Sequence, residues 1–508
     1  MAKKPAAGWK KDRQGIIGVT AVSLFLLNFI LGILLINEGL FHADAVILAQ
    51  AVEKTCATGV LQPTVCGRYG SVIINLILHL PFSLLGLTSA DFTIRFSSVF
   101  FHSLSIAIFF LFVRELFKDR IQALFAALFL SFTPFYFSPN TYGKEHGASI
   151  FFLLLSLYLL YRGTNNKSPI LICLSSFLIA FSITVRESAL LAVPFFFLLY
   201  FEPRISFSPF KITILKERFS PGSMICLFLP LLFLFAVIFF TYLRYEIYRA
   251  MIVDTTARVR YLGLFSEKLR VVFSNLFSHG ISLLMLPFFL IGAIRMFRNK
   301  KIFFAIYFLL WFIFLFLFIG NLDNFSPRLL DIVIIPFYIF VSYALTNLYA
   351  KDKLIALSLV ATLVLLMFVF IYPILKSRHN YNGEKQFALY VKEKTEPHAV
   401  VLAVDDACFI EYYAERNVLS VPVDDPAKMD ALVEKIKGYL KRKVPVYLAS
   451  SSYLIYGSDC FKSKFADNFY GTVTAKKPSE DYHWACVDRR IYEAELIKLS
   501  LKNERNIK

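Results

Sequence analysis

Apolar runs of about membrane-spanning length, separated by short polar loops, fill the first three quarters of the chain. A helix crossing a bilayer needs about 20 predominantly apolar residues. Runs of this kind lie at Gly15–Ile36, Phe92–Val113, Ile121–Ser138, Ser223–Leu243, His279–Ile294, Ile302–Gly320, Leu329–Tyr349 and Leu354–Tyr372. Shorter runs at Gly147–Tyr161, Pro169–Val185 and Glu187–Phe201 complete the set, the last two forming a hairpin with Arg186 at its tip. The first run is long and lacks a small-residue cleavage site, so it reads as an anchor.

The run Ser71–Leu87 is interrupted by Asn75, His79 and Pro81, and its status decides the topology. If it spans, every later basic loop is placed outside. If it re-enters or lies in the interface, the N-terminal tail with Lys10, Lys11 and Arg13 shares the cytoplasmic side with loops 114–120, 162–167, 204–218, 295–301 and 351–353. The positive-inside rule favours the second arrangement. The expectation is a mostly α, polytopic membrane protein of about eleven spans, N-terminus inside and C-terminus outside.

Beyond Pro373 the pattern changes. Residues 384–500 alternate charged helical stretches with short β-branched runs. Gln386–Lys394 and Ala407–Arg416 read as helices, and Ala399–Val404, Val444–Ala449 and His483–Val487 as strands. Pro426–Lys441 reads as an amphipathic helix with Met429, Leu432, Val433 and Ile436 on one face. Strands alternating with helices predict a soluble α/β domain with a mostly parallel sheet. The chain thus divides into a membrane domain, 1–378, carrying an outer loop 37–91, and an extracytoplasmic domain, 379–508.

Composition sharpens this picture. The 508 residues are 57% hydrophobic and 18% charged, where a soluble domain carries roughly 45–50% apolar and about 25% charged residues. A soluble enzyme, a disordered chain and a disulfide-stapled module are excluded. The net charge of +18 would suit nucleic acid in a soluble protein, but here the cations gather in loops between apolar runs. No soluble segment interleaves them with stacking aromatics, so nucleic acid is rejected as a partner. Cys56, Cys66, Cys408, Cys460 and Cys486 fall on the expected outer side, where Cys56–Cys66 and Cys460–Cys486 could pair or remain free thiols.

Candidate chemistry concentrates in two outer loops. The first holds Glu38, His42 and Asp44 close to the membrane. A carboxylate there can serve as a general base on an acceptor hydroxyl or amine; equally, Asp44 can cap the following helix. The second, Pro139–Gly147, places Lys144, Glu145 and His146 directly before an apolar run, where charge is costly and often functional; snorkelling at the interface is the alternative. Arg95, Arg186, Arg244 and Arg328 sit at outer span ends, and a guanidinium fork suits a lipid-anchored phosphate as well as headgroup anchoring. Arg186 and Glu187 could form an ion pair. Asp405 and Asp406 follow a strand without a Gly-rich phosphate loop, which reads as a helix start. His42, Asp44 and Glu145 could ligate a metal, though no motif requires one.

In these residues the chain resembles the polytopic GT-C glycosyltransferases, especially the bacterial relatives of protein O-mannosyltransferases and of the lipid A aminoarabinose transferase. Asp44-Ala-Val-Ile-Leu-Ala49 resembles the family's acidic motif after the first span, and Pro134…Glu145…Phe151 its second acidic loop. Arg95-Phe-Ser-Ser, the basic turn Arg114-Glu-Leu-Phe-Lys-Asp-Arg120 and Ser326-Pro-Arg328-Leu-Leu…Pro336 follow in the family's order. Where relatives often have Lys-Pro-Pro or His-Pro, this chain has Cys66-Gly-Arg-Tyr-Gly. The resemblance covers residues 15–373 in outline.

It implies transfer of a sugar from a polyprenyl-phosphate donor to a glycan, lipid or protein acceptor at the outer membrane face, with inversion. It also implies Asp44 and Glu145 as catalytic acidic residues, and Lys144, Arg186 or Arg328 as donor-phosphate ligands. It fixes no cofactor and leaves a divalent metal open. A polymerase or ligase using a pyrophosphate-linked donor, or a non-enzymatic transporter or assembly protein, are the other classes the pattern allows.

Overall fold

The computed structural model describes residues 7–62, 64, 68–87, 89–207, 210–213, 220–243, 270, 273–274, 276–277, 281–320, 327–404, 406–422, 426–449, 459–482 and 489–502. They form two compact units, residues 1–36 with 51–376 and residues 37–50 with 377–508. Residues 37–50 therefore pack with the tail, and 51–91 with the apolar helices.

The first unit is helical. Its helices, in order, begin with α1 (Ala7–Leu34), α2 (Ala43–Thr58, which also enters the second unit), α3 (Tyr69–Leu84), α4 (Ala90–Phe117) and α5 (Arg120–Ser131). There follow α6 (Pro134–Phe137), α7 (His146–Asn165), α8 (Pro169–Val185), α9 (Val193–Phe201) and α10 (Pro221–Leu243). Among the described residues, five helices are long and apolar enough to cross a membrane, and α5 with the turn after it makes a sixth candidate, bent by 67°. The bend falls where Thr133 leads into Pro134, whose missing N–H and fixed φ interrupt the helix. Five shorter apolar helices, α3 among them, accompany these. The chain is a multi-pass membrane protein.

Burial ranks the helices. In its apolar window α4 is 67% buried and α1 only 22%, so α4 is the central post, packed by α1, α5 and α7. Apolar side chains that stay exposed, such as Ile77, Leu84, Ile170 and Leu354, form the lipid-facing surface of a protein without a polar coat. The helix Leu286–Arg298 lies against Ile334–Tyr349 so closely that a Cβ on Gly292 would stand 2.0 Å from the Phe340 carbonyl oxygen. Small residues permit such close backbone approach in membranes. Phe289 stacks on Phe337 beside it, ring centroids 5.0 Å apart.

The second unit contains a five-stranded sheet in the order β4-β3-β5-β7-β6. The strands are β3 (Val400–Ala403), β4 (Asn417–Ser420), β5 (Val446–Ala449), β6 (Phe469–Tyr482) and β7 (Arg489–Leu501); β1 (Arg204–Phe207) and β2 (Phe210–Thr213) form a separate hairpin in the first unit. β3 pairs in parallel with β4 and β5, while β7 runs antiparallel to both β5 and β6. The sheet is thus mixed rather than mostly parallel. β6 and β7 are rich in Lys, Glu and Thr, and lack the continuous β-branched run that marks a buried parallel strand. The expected strand at His483–Val487 lies outside the described residues. Met429, Leu432, Val433 and Ile436 all enter the core from the helix Pro426–Lys441, against Val400, Leu402, Val446 and Leu448. The segment expected as one helix from Ala407 to Arg416 is a short α-turn, Ala407–Phe409, followed by a π-turn, Ile410–Ala414.

Candidate functional site

Four charged side chains meet where the start of α3, the start of α7 and the end of α8 converge. Arg68 immediately precedes α3, and its guanidinium grips Glu187 through one edge, Nε donating to Oε2 at 2.8 Å and Nη2 to Oε1 at 2.7 Å. Its Nη1 donates to Glu145 Oε1 at 2.5 Å. Arg186 Nη1 donates to the same oxygen at 2.6 Å. Two carboxylates thus balance two guanidiniums, which is what allows the charges to be taken out of water. The Glu145 and Arg186 side chains are only 3% and 4% exposed, and Glu187 is 30% exposed.

Local backbone explains the convergence. α8 ends at Val185, and Arg186 adopts an extended conformation, φ −156° and ψ 126°. That break turns the chain into the 3-10 segment Glu187–Ala192 and sends neighbouring opposite charges to different partners. The Arg186–Glu187 ion pair suggested by adjacency therefore does not form; each residue pairs across the fold instead. Glu145 stands at the cap position of α7 but makes no side-chain cap bond, leaving its carboxylate to the arginines. The cap is supplied by Asn140, whose Oδ1 accepts the Gly147 N–H at 2.8 Å. A Cβ at Gly147 would lie 2.7 Å from both that oxygen and the His102 backbone nitrogen, so only glycine lets α7 begin against α4 here.

Further buried polar groups lie in the same unit. His146 Nδ1 lies 2.5 Å from Asp331 Oδ2, both side chains almost fully buried. Asp331 closes the turn Pro327–Asp331, and its other oxygen accepts the Ile332 N–H at 2.7 Å. Arg95 donates through Nε to Asp91 one helical turn earlier, at 2.6 Å. Lys144 is wholly buried, and its carbonyl oxygen accepts the Ser98 hydroxyl at 2.6 Å. Arg328 belongs to the turn Pro327–Asp331; its side chain, with Arg244, Asp405 and Cys66, lies outside the described residues.

The second unit holds the other candidates. Asp44 falls in the first turn of α2, one residue inside its start. The helix is capped by His42, whose Nδ1 accepts the Asp44 N–H at 3.1 Å, so the expected capping role of Asp44 belongs to its neighbour. The Asp44 carboxylate lies 3.7 Å from the same imidazole nitrogen and is about a quarter exposed, at 23%. Glu38 ties this segment to the tail, accepting the Asn382 N–H at 3.1 Å and the Gln386 amide at 2.7 Å. Burial, helped by the Asp406 charge, pushes the Cys408 thiol up to about 12. Among the described residues no group of three or more His, Cys, Asp or Glu side chains is arranged to hold a metal ion.

Sequence reasoning did not single out Arg68, Asp91 or Asp331 as partners. Their signal was present: each is a charged residue within or beside an apolar run, where an unpaired charge is costly. The partner of each comes from a distant or helical contact that only the fold creates.

Known proteins add to this geometry. Residues 71–215 match the family model for dolichyl-phosphate-mannose-protein mannosyltransferase. The structure is similar to that of ArnT from Cupriavidus metallidurans bound to undecaprenyl phosphate, with a TM-score of 0.61 at 12% identity, covering 97% of this chain and 98% of that one. It is also similar to the Archaeoglobus fulgidus oligosaccharyltransferase, with a TM-score of 0.56 at 14% identity over 89% of this chain and 72% of that one. The mycobacterial arabinofuranosyltransferase AftD gives a TM-score of 0.51 at 10% identity, over 95% of this chain and 40% of that one. No curated protein sequence matches the chain. The chain has the GT-C fold of polytopic membrane glycosyltransferases, with a soluble C-terminal α/β region.

Proposed function

We propose that this protein is a membrane glycosyltransferase that moves a sugar from a polyprenyl-phosphate donor to an acceptor at the outer membrane face. The observation that carries the reading is Arg186. Its guanidinium is buried, Nη1 is held by Glu145, and Nε has no hydrogen-bond partner. A buried donor left unsatisfied costs about 1–3 kcal/mol, and a phosphate oxygen is the acceptor a guanidinium fork fits best. The likeness to a protein solved with undecaprenyl phosphate agrees with that ligand.

In this reading the acceptor hydroxyl or amine attacks the anomeric carbon while the bond from that carbon to the phosphate oxygen breaks. Asp44 takes the acceptor proton, the electron pair leaves with the lipid phosphate, and the anomeric carbon inverts. Arg186, with Lys144 and Arg328, neutralises the departing phosphate. Glu145 was expected as a second catalytic acid. With one of its oxygens engaged by two guanidiniums, we assign it to holding Arg186 in place instead.

Transfer of radiolabelled sugar from polyprenyl-phosphate, run beside the pyrophosphate-linked form, tests the reading. Turnover with the monophosphate alone supports it. Turnover only with the pyrophosphate form moves the protein to the polymerase or ligase class, and no transfer to any acceptor removes the enzyme reading. Sidedness has its own test. A reporter active only in the cytoplasm, fused after Lys508, should stay dark, and a bright fusion would overturn the outer placement of the tail.

A further inference from the structure

α7 has two charged ends. It starts beside Glu145 and runs 20 residues to Asn165, a rise of about 30 Å, which matches the thickness of the hydrocarbon core. At its far end, across the bilayer from the Glu145 cluster, the last turns of α4 and α7, with Ile17 of α1, line a half-open cavity of about 400 Å³. Arg114, Lys118 and Arg162 line it, with Glu115 as the single carboxylate, and Tyr158 and Asn166 complete the polar wall.

The charges do not balance. Glu115 is shared, its Oε2 accepting from Arg114 Nη1 at 3.2 Å and its Oε1 from Lys118. Arg162 has a neutral partner, donating to the Tyr158 hydroxyl at 2.9 Å while its guanidinium lies over that ring. Three cations against one carboxylate leave a surplus of two positive charges around a headgroup-sized space. Helix ends account for part of this, since cations are favoured at the C-termini of α4 and α7. The surplus still faces one shared cavity, about one hydrocarbon thickness along α7 from Glu145.

We propose that this cavity binds a phosphate-ester anion, the headgroup of an anionic lipid in the leaflet opposite the Glu145 cluster. Basic pockets between membrane helices on one face recognise lipid headgroups in this way. The site is separate from the Glu145 cluster, because the whole length of α7 lies between them. It therefore stands whether or not the chain transfers sugar.

The full chain, purified in a non-denaturing detergent, is offered phosphatidylglycerol or phosphatidylcholine and the retained lipid is counted by native mass spectrometry. Both carry a phosphate, but only the first is a net anion. Phosphatidylglycerol should be retained in preference. Arg162→Gln combined with Lys118→Asn should lower that retention about ten-fold or more while circular dichroism matches the parent. Asparagine suits position 118, which is left-handed at φ 56°. Should the pair fail to fold, Lys118→Asn alone, at a side chain 59% exposed, carries the test with a smaller loss. Arg162→Lys, which keeps charge but loses the fork, should fall between. Equal retention of the two lipids, or undiminished phosphatidylglycerol in folded variants, overturns the proposal. Inorganic phosphate separates the sources. Retention of lipid against millimolar phosphate supports a lipid headgroup, and displacement by it overturns the lipid in favour of a soluble phosphate.

Discussion

Removing Arg68 tests whether the buried cluster is one charge-balanced unit. Arg68 makes three charge-assisted hydrogen bonds, two to Glu187 and one to Glu145. Arg68→Gln removes one of the two guanidiniums that Glu145 shares and the one that grips Glu187, leaving the cluster one positive charge short. Breaking a buried pair by deleting one partner costs about 3–5 kcal/mol. The Glu187 side chain is 30% exposed and keeps some hydration, so the lower end, about 3 kcal/mol, is expected. Glu187→Gln should cost less for the same reason. The double variant Arg68→Gln/Glu187→Gln restores neutrality by leaving the Glu145–Arg186 pair, so its cost should fall below the sum of the singles by about 1.5 kcal/mol or more. Unfolding in mixed micelles titrated with a denaturing detergent measures all four corners of this cycle. Additivity to within about 0.5 kcal/mol would refute the cluster as a coupled unit.

Asp44→Asn should insert, extract and melt like the parent, because His42 rather than Asp44 caps α2, yet transfer sugar about a hundred-fold or more slowly if the carboxylate is the base; normal turnover in a transfer assay would end that assignment. Gly292→Ala should destabilise the first unit by about 1–3 kcal/mol or more, since the added methyl meets the Phe340 carbonyl, and a parent-like unfolding midpoint would show that the helices can separate at no cost. Cys408 should be alkylated slowly at neutral pH. Its thiol is raised to about 12, and only the thiolate reacts, so the alkylation rate in the folded protein should keep climbing through the alkaline range; a plateau near pH 9 would contradict the burial argument.

Where the pattern was local, it was legible. The apolar runs from Gly15 to Tyr372 correspond to helices wherever they are described, and the stripe Met429, Leu432, Val433 and Ile436 forms the core face of its helix. A 3.6-residue period is visible within one segment, so no tertiary information is needed to read it. The β6–β7 hairpin was not legible, because its strands carry charge on both sides of any alternation. They pair along 13 residues of register, and only at the end carrying Phe469, Leu496 and Leu499 do they reach the core. The second unit also claims residues 37–50, far earlier in the chain than Ser377, where its main part begins. Periodicity carries no trace of such a contact.

The candidate site divides on the same physical line. Glu145, Lys144 and Arg186 stood out because charge beside an apolar run demands an explanation, and all three are buried. What adjacency suggested about Arg186 and Glu187 was misleading for a geometric reason. Arg186 is extended and Glu187 opens a 3-10 segment, so the break at the end of α8 gives the guanidinium to Glu145 and the carboxylate to Arg68. Arg68 and Glu187 are 119 residues apart in sequence. Only charge balance could have linked them: with Glu145 and Arg186 neutralising each other, the leftover carboxylate at the same chain break requires another buried cation. Arg68, the one Arg or Lys between Lys54 and Arg95, meets that requirement.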